Sequence, residues 1–289
     1  MQPEAEGLGT TNIGETSFIW GQRTYVMGVI NVTPDSFSGD GLNENVDAAV
    51  QQAFDFQEWG ADIIDVGGES TRPPSVYSGA NSTPLDLELS RVIPVIQALA
   101  ARVRIPISVD TYKARVADEA IAAGASMIND VWGFKRDSDM ARVAVQTGVP
   151  VVLMHNQSHT RYGDLVPDVI DELRRMMDAA LKAGVSLENI ILDPGMGFGK
   201  NAEHNLEILR RLDEFLVLGR PLLVGMSRKS TIGRVLGLPV DDRGEGTAAT
   251  VALSIAKGAD IVRVHDVKEM VRVARMSDAI VRGWKQADA

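Results

Sequence analysis

The chain has 289 residues, of which 39 are acidic and 29 are basic, so its net charge at pH 7 is −10. This balance disfavours long-range attraction to nucleic acid or to anionic lipid, and neither is expected as a partner. Hydrophobic residues make up 45% and charged residues 24%, which excludes a disordered or collagen-like chain. Because the net charge is negative, a bound anion must be held by a local cluster of basic residues.

Cysteine is absent, which excludes disulfides, thiolate metal sites and a thiol nucleophile, and suits the reducing cytoplasm. Residues 1–16 have neither the basic nor the apolar segment of a signal peptide, and apolar runs such as Val149–Met154 are far shorter than the roughly 20 residues of a membrane span. We expect a cytoplasmic protein with no membrane association. Residues 1–16 are predicted to form a disordered tail, and residues 17–289 one domain.

The first predicted element is a short hairpin, in which Ser17–Trp20 and Thr24–Met27 flank a turn at Gly21 and Gln22. Beyond it, short β-rich runs alternate with amphipathic stretches such as Val46–Trp59 and Arg174–Ala183, the pattern of βα units. Eight strands with eight helices indicate a TIM barrel. A doubly wound sheet is the alternative, but Asn31–Asp35 is not the glycine-rich turn that such folds place after their first strand. The predicted strands are Tyr25–Ile30, Asp62–Val66, Pro106–Val109, Met127–Asn129, Val151–His155, Ile190–Asp193, Leu222–Gly225 and Ile261–Val264.

Polar residues stand at the carboxyl ends of these strands, where a TIM barrel carries its chemistry. Singly, each Asp or Asn could merely cap a helix or make a turn. Arg263 is different, because an arginine inside an apolar strand needs an anionic partner if it is buried. Alternation along the strands predicts that several of these groups meet at one barrel mouth. The strand-end residues are Asn31, Asp65, Asp110, Asn129, His155, Asp193, Ser227, Arg228, Lys229, Ser230, Arg263 and His265.

Three further features of the sequence bear on nucleotide binding, zinc binding and acyl-enzyme chemistry. Pro194–Asn201 lacks the first glycine and the closing Ser or Thr of a nucleotide-binding P-loop, so its glycines either admit a flat ligand, with Phe198 covering a ring face, or form a plain loop. His155 and His159 have no third strong ligand, which disfavours zinc. A nucleophile elbow of the Gly-x-Ser-x-Gly type is absent, which disfavours acyl-enzyme chemistry.

Five segments carry a family resemblance: Met27–Ser38 (MGVINVTPDSFS), Gly67–Pro73 (GGESTRP), Asp193–Gly195, Ser227–Ser230 and Arg263–Val267. Together they resemble the dihydropteroate synthases of the bacterial folate pathway, from about Phe18 to the last helix. The resemblance implies a TIM barrel that joins 6-hydroxymethyl-7,8-dihydropterin diphosphate to p-aminobenzoate, giving 7,8-dihydropteroate and pyrophosphate. It also implies a homodimer and a target of sulfonamide drugs.

The resemblance implies roles for individual residues on the pterin side. Asp193 would accept two hydrogen bonds from the ring NH and the exocyclic amine, Asn129 would bind the neighbouring edge, and Lys229 would donate to the carbonyl and a ring nitrogen. Asp110 would stabilise positive charge that develops on the ring as the diphosphate leaves. The implied pterin diphosphate ligands are Thr71, Asp110, Asn129, Asp193, Phe198, Lys229, Arg263 and His265, and the implied catalytic residues are Asp35, Asp110, Lys229 and Arg263.

The remaining implied roles concern the diphosphate and p-aminobenzoate. Arg263 and His265 match diphosphate ligands, Asn31 matches a ligand of Mg²⁺, and Asp35 matches a residue that organises that metal site. Ser230 would offer its hydroxyl and a helix N-terminus to the benzoate carboxylate. The implied p-aminobenzoate residues are Phe37, Thr71, Arg72, Pro73 and Ser230.

The sequence departs from the family pattern in both substrate loops. Gly39-Asp40-Gly41 stands where the family usually has Asp-Gly-Gly, and Pro74–Leu85 is about five residues longer than the usual connection. The longer loop could exclude the part of a sulfonamide that projects beyond the p-aminobenzoate pocket, or it could simply extend into solvent.

Three other functions remain as alternatives at this point. A corrinoid-linked methyltransferase binds pterins on a related barrel but has no use for Arg72 or for the Arg263 and His265 pair. A catalytically silent pterin-binding paralogue would show no turnover. A phosphosugar aldolase would need a Schiff-base lysine inside a strand, whereas Lys229 follows one.

Overall fold

The computed structural model describes residues 8–32, 42–69 and 83–284, in which short parallel strands alternate with helices. An N-terminal hairpin precedes the eight strands of one sheet, all eight of them predicted from the sequence. The hairpin consists of β1 (Thr10–Ile13) and β2 (Thr16–Ile19), and the sheet of β3 (Tyr25–Asn31), β4 (Ile63–Gly67), β5 (Ile107–Asp110), β6 (Met127–Asp130), β7 (Val151–Met154), β8 (Ile190–Asp193), β9 (Leu223–Val224) and β10 (Ile261–Val264).

The sheet closes on itself. Its strands follow the order β8-β7-β6-β5-β4-β3-β10-β9, and a parallel bridge between Leu192 and Leu222 joins its two ends. A doubly wound sheet would keep two open edges, so the predicted TIM barrel is confirmed and the alternative is wrong.

Helices surround the barrel, each with an apolar face on the sheet. In the longest, Val166, Val169, Ile170 and Leu173 are buried at the i, i+3, i+4, i+7 spacing, and Gly184 ends the helix in the left-handed conformation with φ 106°. The helices are α1 (Leu42–Trp59), α2 (Leu85–Ala100), α3 (Ala114–Ala122), α4 (Met140–Thr147), α5 (Leu165–Ala183), α6 (Ala202–Arg210), α7 (Ser230–Leu236), α8 (Gly244–Ala256) and α9 (Val267–Val281), with 3₁₀ turns at Leu187–Asn189, Leu212–Leu218 and Val240–Asp242.

The described chain has one helix more than the eight predicted, because both α7 and α8 follow β9. Gly237 ends α7 with φ 70°, and Pro239 two residues later cannot continue a helix. The short α7 thereby separates the residues at the end of β9 from α8, which packs on the barrel.

The hairpin lies seven residues earlier than predicted. Thr10 pairs with Ile19 and Ile13 with Thr16, around a turn in which Gly14 has φ 59°. Thr24–Met27 instead begins the barrel, because Asp278 accepts hydrogen bonds from Thr24 and the Tyr25 amide donates to the Asp260 carbonyl. The strand Thr10–Ile13 falls inside the segment 1–16 assigned to a disordered tail, so that assignment is wrong for residues 10–16.

The barrel interior has an apolar lower layer. Side chains from seven strands pack there with Ile13, Phe18 and Trp20 of the N-terminal segment, which therefore closes the barrel floor. The described polar side chains predicted for the site lie at the opposite, carboxyl end of the strands. None of the described helices is long and apolar enough to cross a membrane. The apolar layer from the strands consists of Tyr25, Met27, Ile63, Met127, Val152, Ile191, Leu223 and Ile261.

Candidate active site

Five buried or half-buried polar side chains lie directly above the apolar layer of the barrel. Four of them stand two residues after an interior apolar side chain of their strand, and Asp110 stands two residues after the buried Ser108, so period-two alternation brings all five to the same inner face. Met127 precedes Asn129, Ile191 precedes Asp193 and Ile261 precedes Arg263, as the sequence predicts. The five side chains are Asp65, Asp110, Asn129, Asp193 and Arg263.

Arg263 lies between two buried carboxylates. Its Nε donates to Asp65 Oδ2 over 2.6 Å, and its Nη2 donates to Asp110 Oδ2 over 2.7 Å. Burial lowers the pKa of Arg263, but Asp65 and Asp110 raise it by more, so the guanidinium stays charged. The predicted need of this arginine for an anionic partner is confirmed, and it is met by two.

The pKa of Asp110 is raised to about 7, so this carboxyl titrates near neutral pH. Burial raises the pKa of Asp110, and the attraction of Arg263 offsets this only in part. Its Oδ1 is buried and has no hydrogen-bond partner within the described chain. The pair of carboxylates around one guanidinium therefore has an excess of acceptor capacity that a cationic or hydrogen-bond-donating ligand can use.

Asp65 joins this cluster to Asn129. Its Oδ2 accepts from Asn129 Nδ2 over 3.0 Å as well as from Arg263, and its side chain is fully buried. The sequence predicts Asp65 at a strand end but indicates no role for it. The available signal was its place on the same face as Ile63, one strand away from Asp110.

Asp193 ends β8 and begins a glycine-rich loop. Its Oδ1 accepts from the Gly195 amide over 2.6 Å. Burial raises the pKa of Asp193, while the Gly195 amide and the nearby Lys229 act in the opposite direction. Gly195 has φ 71°, and a Cβ there would lie 1.8 Å from the His155 carbonyl oxygen, so only glycine fits this close approach.

Lys229 lies opposite Asp193, on the loop that precedes α7. Its Nζ donates to the Met196 carbonyl and lies 4.5 Å from the centre of the Phe198 ring. Burial lowers the pKa of Lys229 to about 8. The loop after β8 and the loop after β9 thus meet through one lysine.

The residues after β9 and β10 complete the mouth. Both the backbone amide and Nδ1 of His265 lie within 3.1 Å of Ser227 Oγ. Arg228 is engaged by Asp266 through two hydrogen bonds and has φ 58°, which leaves Lys229 and not Arg228 facing the interior. Ser230 is exposed as the first residue of α7, and Asn31 is half-buried at the end of β3.

Several predicted site residues lie outside the described residues, so their positions are not part of this geometry. The described residues contain no group of three or more acidic or histidine side chains that could hold a metal ion. The predicted residues outside the described ranges are Asp35, Phe37, Thr71, Arg72 and Pro73, together with most of the Pro74–Leu85 loop.

Comparison with known proteins decides the family. A family model described as "Pterin binding enzyme" matches residues 27–265. A dihydropteroate synthase of Clostridium beijerinckii is 52% identical over 271 residues, which are 93% of this chain and 99% of that protein. The chain belongs to the dihydropteroate synthases.

Solved dihydropteroate synthases share the barrel described above. One from Clostridium difficile, determined with pteroic acid, is 52% identical with a TM-score of 0.88 over 92% of this chain and 99% of that one. One from Xanthomonas albilineans, in complex with 7,8-dihydropteroate, is 38% identical with a TM-score of 0.85 over 94% and 98% of the two chains. The corrinoid methyltransferase and aldolase alternatives are therefore dropped.

Proposed function

We propose how the cluster at the barrel mouth carries out the family reaction. The enzyme condenses 6-hydroxymethyl-7,8-dihydropterin diphosphate with p-aminobenzoate to 7,8-dihydropteroate and pyrophosphate, a step of folate biosynthesis. The observation that carries the assignment of roles is the convergence of Asp110, Asn129, Asp193, Arg263 and Lys229 above one apolar layer. It is supported by one solved relative determined in the presence of pteroic acid and by another in complex with 7,8-dihydropteroate.

The pterin ring is held by its hydrogen-bonding edges. Asp193 keeps Oδ2 free of the Gly195 contact and accepts from the ring NH and exocyclic amine, and Asn129 meets the adjacent edge. Lys229 donates to the pterin carbonyl and ring nitrogen, with the Phe198 ring beside it. Thr71 would add a contact from the second substrate loop.

Asp110 and Arg263 serve the bond-breaking step. As the C–O bond to the diphosphate breaks, positive charge develops on the pterin, and the two carboxylates around one guanidinium stabilise it. Arg263 and His265 bind the leaving pyrophosphate. The aniline nitrogen of p-aminobenzoate supplies the electron pair for the new C–N bond and then loses a proton, so no protein nucleophile is required.

Mg²⁺ would assist the leaving group. Asn31 offers an amide oxygen on the inner face at the end of β3, and Mg²⁺ prefers oxygen ligands, often one or two from the protein and the rest from phosphate. The lack of a multi-carboxylate cluster in the described residues suits an ion that enters with the diphosphate. Bound there with Asp35 near it, the ion would neutralise the pyrophosphate charge.

The p-aminobenzoate site would be formed by Ser230 and the loop residues Phe37, Thr71, Arg72 and Pro73. Ser230 is exposed to the mouth and begins α7, where its hydroxyl can reach a carboxylate. Sulfonamides would compete at this site. A cytoplasmic location is proposed on the absence of cysteine.

An exposed apolar surface on α7, α8 and the neighbouring 3₁₀ turn supports the proposal of a homodimer. Exposed apolar side chains follow one another along α7, α8 and the 3₁₀ turn Leu212–Leu218, and Leu236 and Leu216 approach opposite ends of α8. Exposed apolar side chains on neighbouring elements are typical of subunit interfaces. The exposed side chains are Leu216, Val217, Val235, Leu236 and Leu253.

Pyrophosphate release tests these assignments. Release should require both substrates, should cease with EDTA and should return with Mg²⁺, and Asn31→Ala should raise the Mg²⁺ concentration needed. Binding of pterin diphosphate without turnover would instead favour the silent paralogue. An unchanged Mg²⁺ dependence in Asn31→Ala would remove Asn31 from the metal site.

A further inference from the structure

Lys200 is a buried lysine that the proposed reaction does not use. It closes the glycine-rich loop that begins at Asp193, and only 7% of the residue is exposed. Its Nζ contacts His155 Nδ1 at 2.8 Å and donates to the Phe198 carbonyl over 3.0 Å. These two contacts thus hold the side chain inside the protein.

The glycine-rich loop Asp193–Gly199 packs closely against the segment that follows β7. Gly195 lies against the His155 carbonyl, and a Cβ on Gly199 would lie 2.6 Å from the Gln157 carbonyl oxygen. Tyr162 donates from its hydroxyl to the Gly199 carbonyl over 2.8 Å. Backbone contacts therefore fix both ends of the loop, and the Lys200 side chain joins the Phe198 carbonyl, near the second end, to His155.

We infer that Lys200 is a positioning residue, which holds the loop Asp193–Gly199 in its pterin-binding geometry by joining the Phe198 carbonyl to the His155 ring. The inference rests on the proposed pterin site. The same loop carries the Asp193 carboxylate and the Phe198 ring, and its Met196 carbonyl accepts from Lys229. A shift of the loop would therefore misplace three pterin contacts together.

An apolar side chain could not replace Lys200 in this role. It would leave the Phe198 carbonyl and His155 Nδ1 without this hydrogen-bond donor in a buried place, and the loop would have to move to satisfy them. When the Lys200 ammonium donates, Nδ1 accepts and the His155 proton lies on Nε2. Burial lowers the pKa of His155 to about 2, and it also lowers the pKa of Lys200, which the neighbouring Asp193 carboxylate raises.

The test compares Lys200→Met with a matched control, Lys135→Met. Lys135 also donates to a carbonyl of the segment after β7, that of Asn156 at 2.7 Å, but it lies outside the pterin loop. In Lys200→Met the Kd for pterin diphosphate should rise about tenfold or more, while the KM for p-aminobenzoate at saturating pterin diphosphate stays within about twofold. Lys135→Met should leave both constants within about twofold.

Nitrogen NMR of the histidines supplies a second readout. The Nδ1 shift of His155 should change in Lys200→Met, while those of His159, His204 and His265 stay as in the wild type. If Lys200→Met does not fold, His155→Phe decides, since it removes one of the two contacts and should still weaken pterin binding by about threefold.

The outcomes separate this inference from the proposed function. A wild-type Kd for pterin diphosphate in a folded Lys200→Met or His155→Phe variant would overturn the positioning role alone. An equal loss for p-aminobenzoate would also overturn it, because the loop would then have no specific effect. Failure of the wild-type enzyme to bind pterin diphosphate would overturn the proposed function itself.

Discussion

At the scale of single residues, the site depends on groups whose burial alone would be unfavourable. Arg263, Asp65 and Asp110 compensate one another through two charge-assisted hydrogen bonds of 2.6 and 2.7 Å. Breaking such a group by removing one partner leaves the others unpaired, so the effect of a substitution depends on which partner remains.

Asp193→Asn should weaken pterin diphosphate binding while preserving the fold. The amide oxygen can still accept from the Gly195 amide, but the NH₂ group meets the pterin donors where a carboxylate oxygen is needed. The expected loss is about 2–4 kcal/mol. Calorimetric titration measures it, and wild-type affinity would remove Asp193 from the pterin site.

Asn129→Ala and Asp110→Ala should each lower activity by about tenfold or more with small changes in melting temperature. In either variant Arg263 keeps its hydrogen bond to Asp65, so no guanidinium is left without a carboxylate. Turnover and thermal unfolding are measured on the same samples. Large losses of stability that parallel the losses of activity would favour a structural role for both residues.

The kcat/KM for pterin diphosphate should fall as the pH rises through about 8. Lys229 has its pKa lowered to about 8 by burial, and the charged form that binds the pterin carbonyl predominates below that pH. Lys229→Arg should move the alkaline limb to higher pH, because a guanidinium stays protonated. A pH profile identical in the two enzymes would show that another group titrates.

At the scale of elements, loops on rigid strands position the site. The glycine-rich loop after β8 and the loop after β9 are each fixed by left-handed backbone, at Gly195 with φ 71° and at Arg228 with φ 58°. Two helices after β9, where one was predicted, place Ser230 at the start of the short α7. The strands supply the register and the loops supply the ligand contacts.

Replacing the Pro74–Leu85 connection by a shorter one tests its predicted role in drug selectivity. If the longer loop excludes the projecting part of a sulfonamide, the ratio of the sulfonamide inhibition constant to the p-aminobenzoate KM is raised in the natural chain and falls in the shortened one. Inhibition by a panel of sulfonamides measures the ratio. An unchanged ratio would mean that the extra residues do not affect discrimination.

At the scale of the whole molecule, the closed barrel forms the site, and the apolar face on α7 and α8 is the surface of the proposed dimer. The barrel gathers polar residues from β4, β5, β6, β8 and β10 into one mouth. The face lies outside the barrel, on helices that follow the site, and Leu253 there is 55% exposed. Its burial between two copies would favour association, because apolar surface would be removed from water.

Leu253→Asp should therefore dissociate the dimer. A charge at the centre of an apolar interface would be buried without a partner. Sedimentation or light scattering should give twice the chain mass for the wild type and the single-chain mass for the variant. A monomeric wild type at micromolar concentration would contradict the proposal.

The sequence by itself determined the barrel and most of the strand ends. Period-two and helical patterns are local, and in Ile261-Val262-Arg263-Val264 an apolar strand with one cation is legible without any contact information. The predicted hairpin was misplaced because the local sequence allows Ser17–Trp20 to pair with Thr24–Met27 as readily as with the preceding strand Thr10–Ile13. Only distant partners, Asp260 and Asp278, assign Thr24 and Tyr25 to the barrel.

Which strand-end residues meet was decided by the tertiary structure alone. Asp65 binds Arg263 across 198 positions of sequence, and Lys200 reaches His155 across 45, and neither pairing leaves a local pattern. The sequence therefore predicted which polar residues lie at the barrel mouth, whereas closure of the barrel determined their hydrogen-bond partners. The physical reason is that a buried polar group is stabilised by whichever complementary group the fold brings within hydrogen-bond distance.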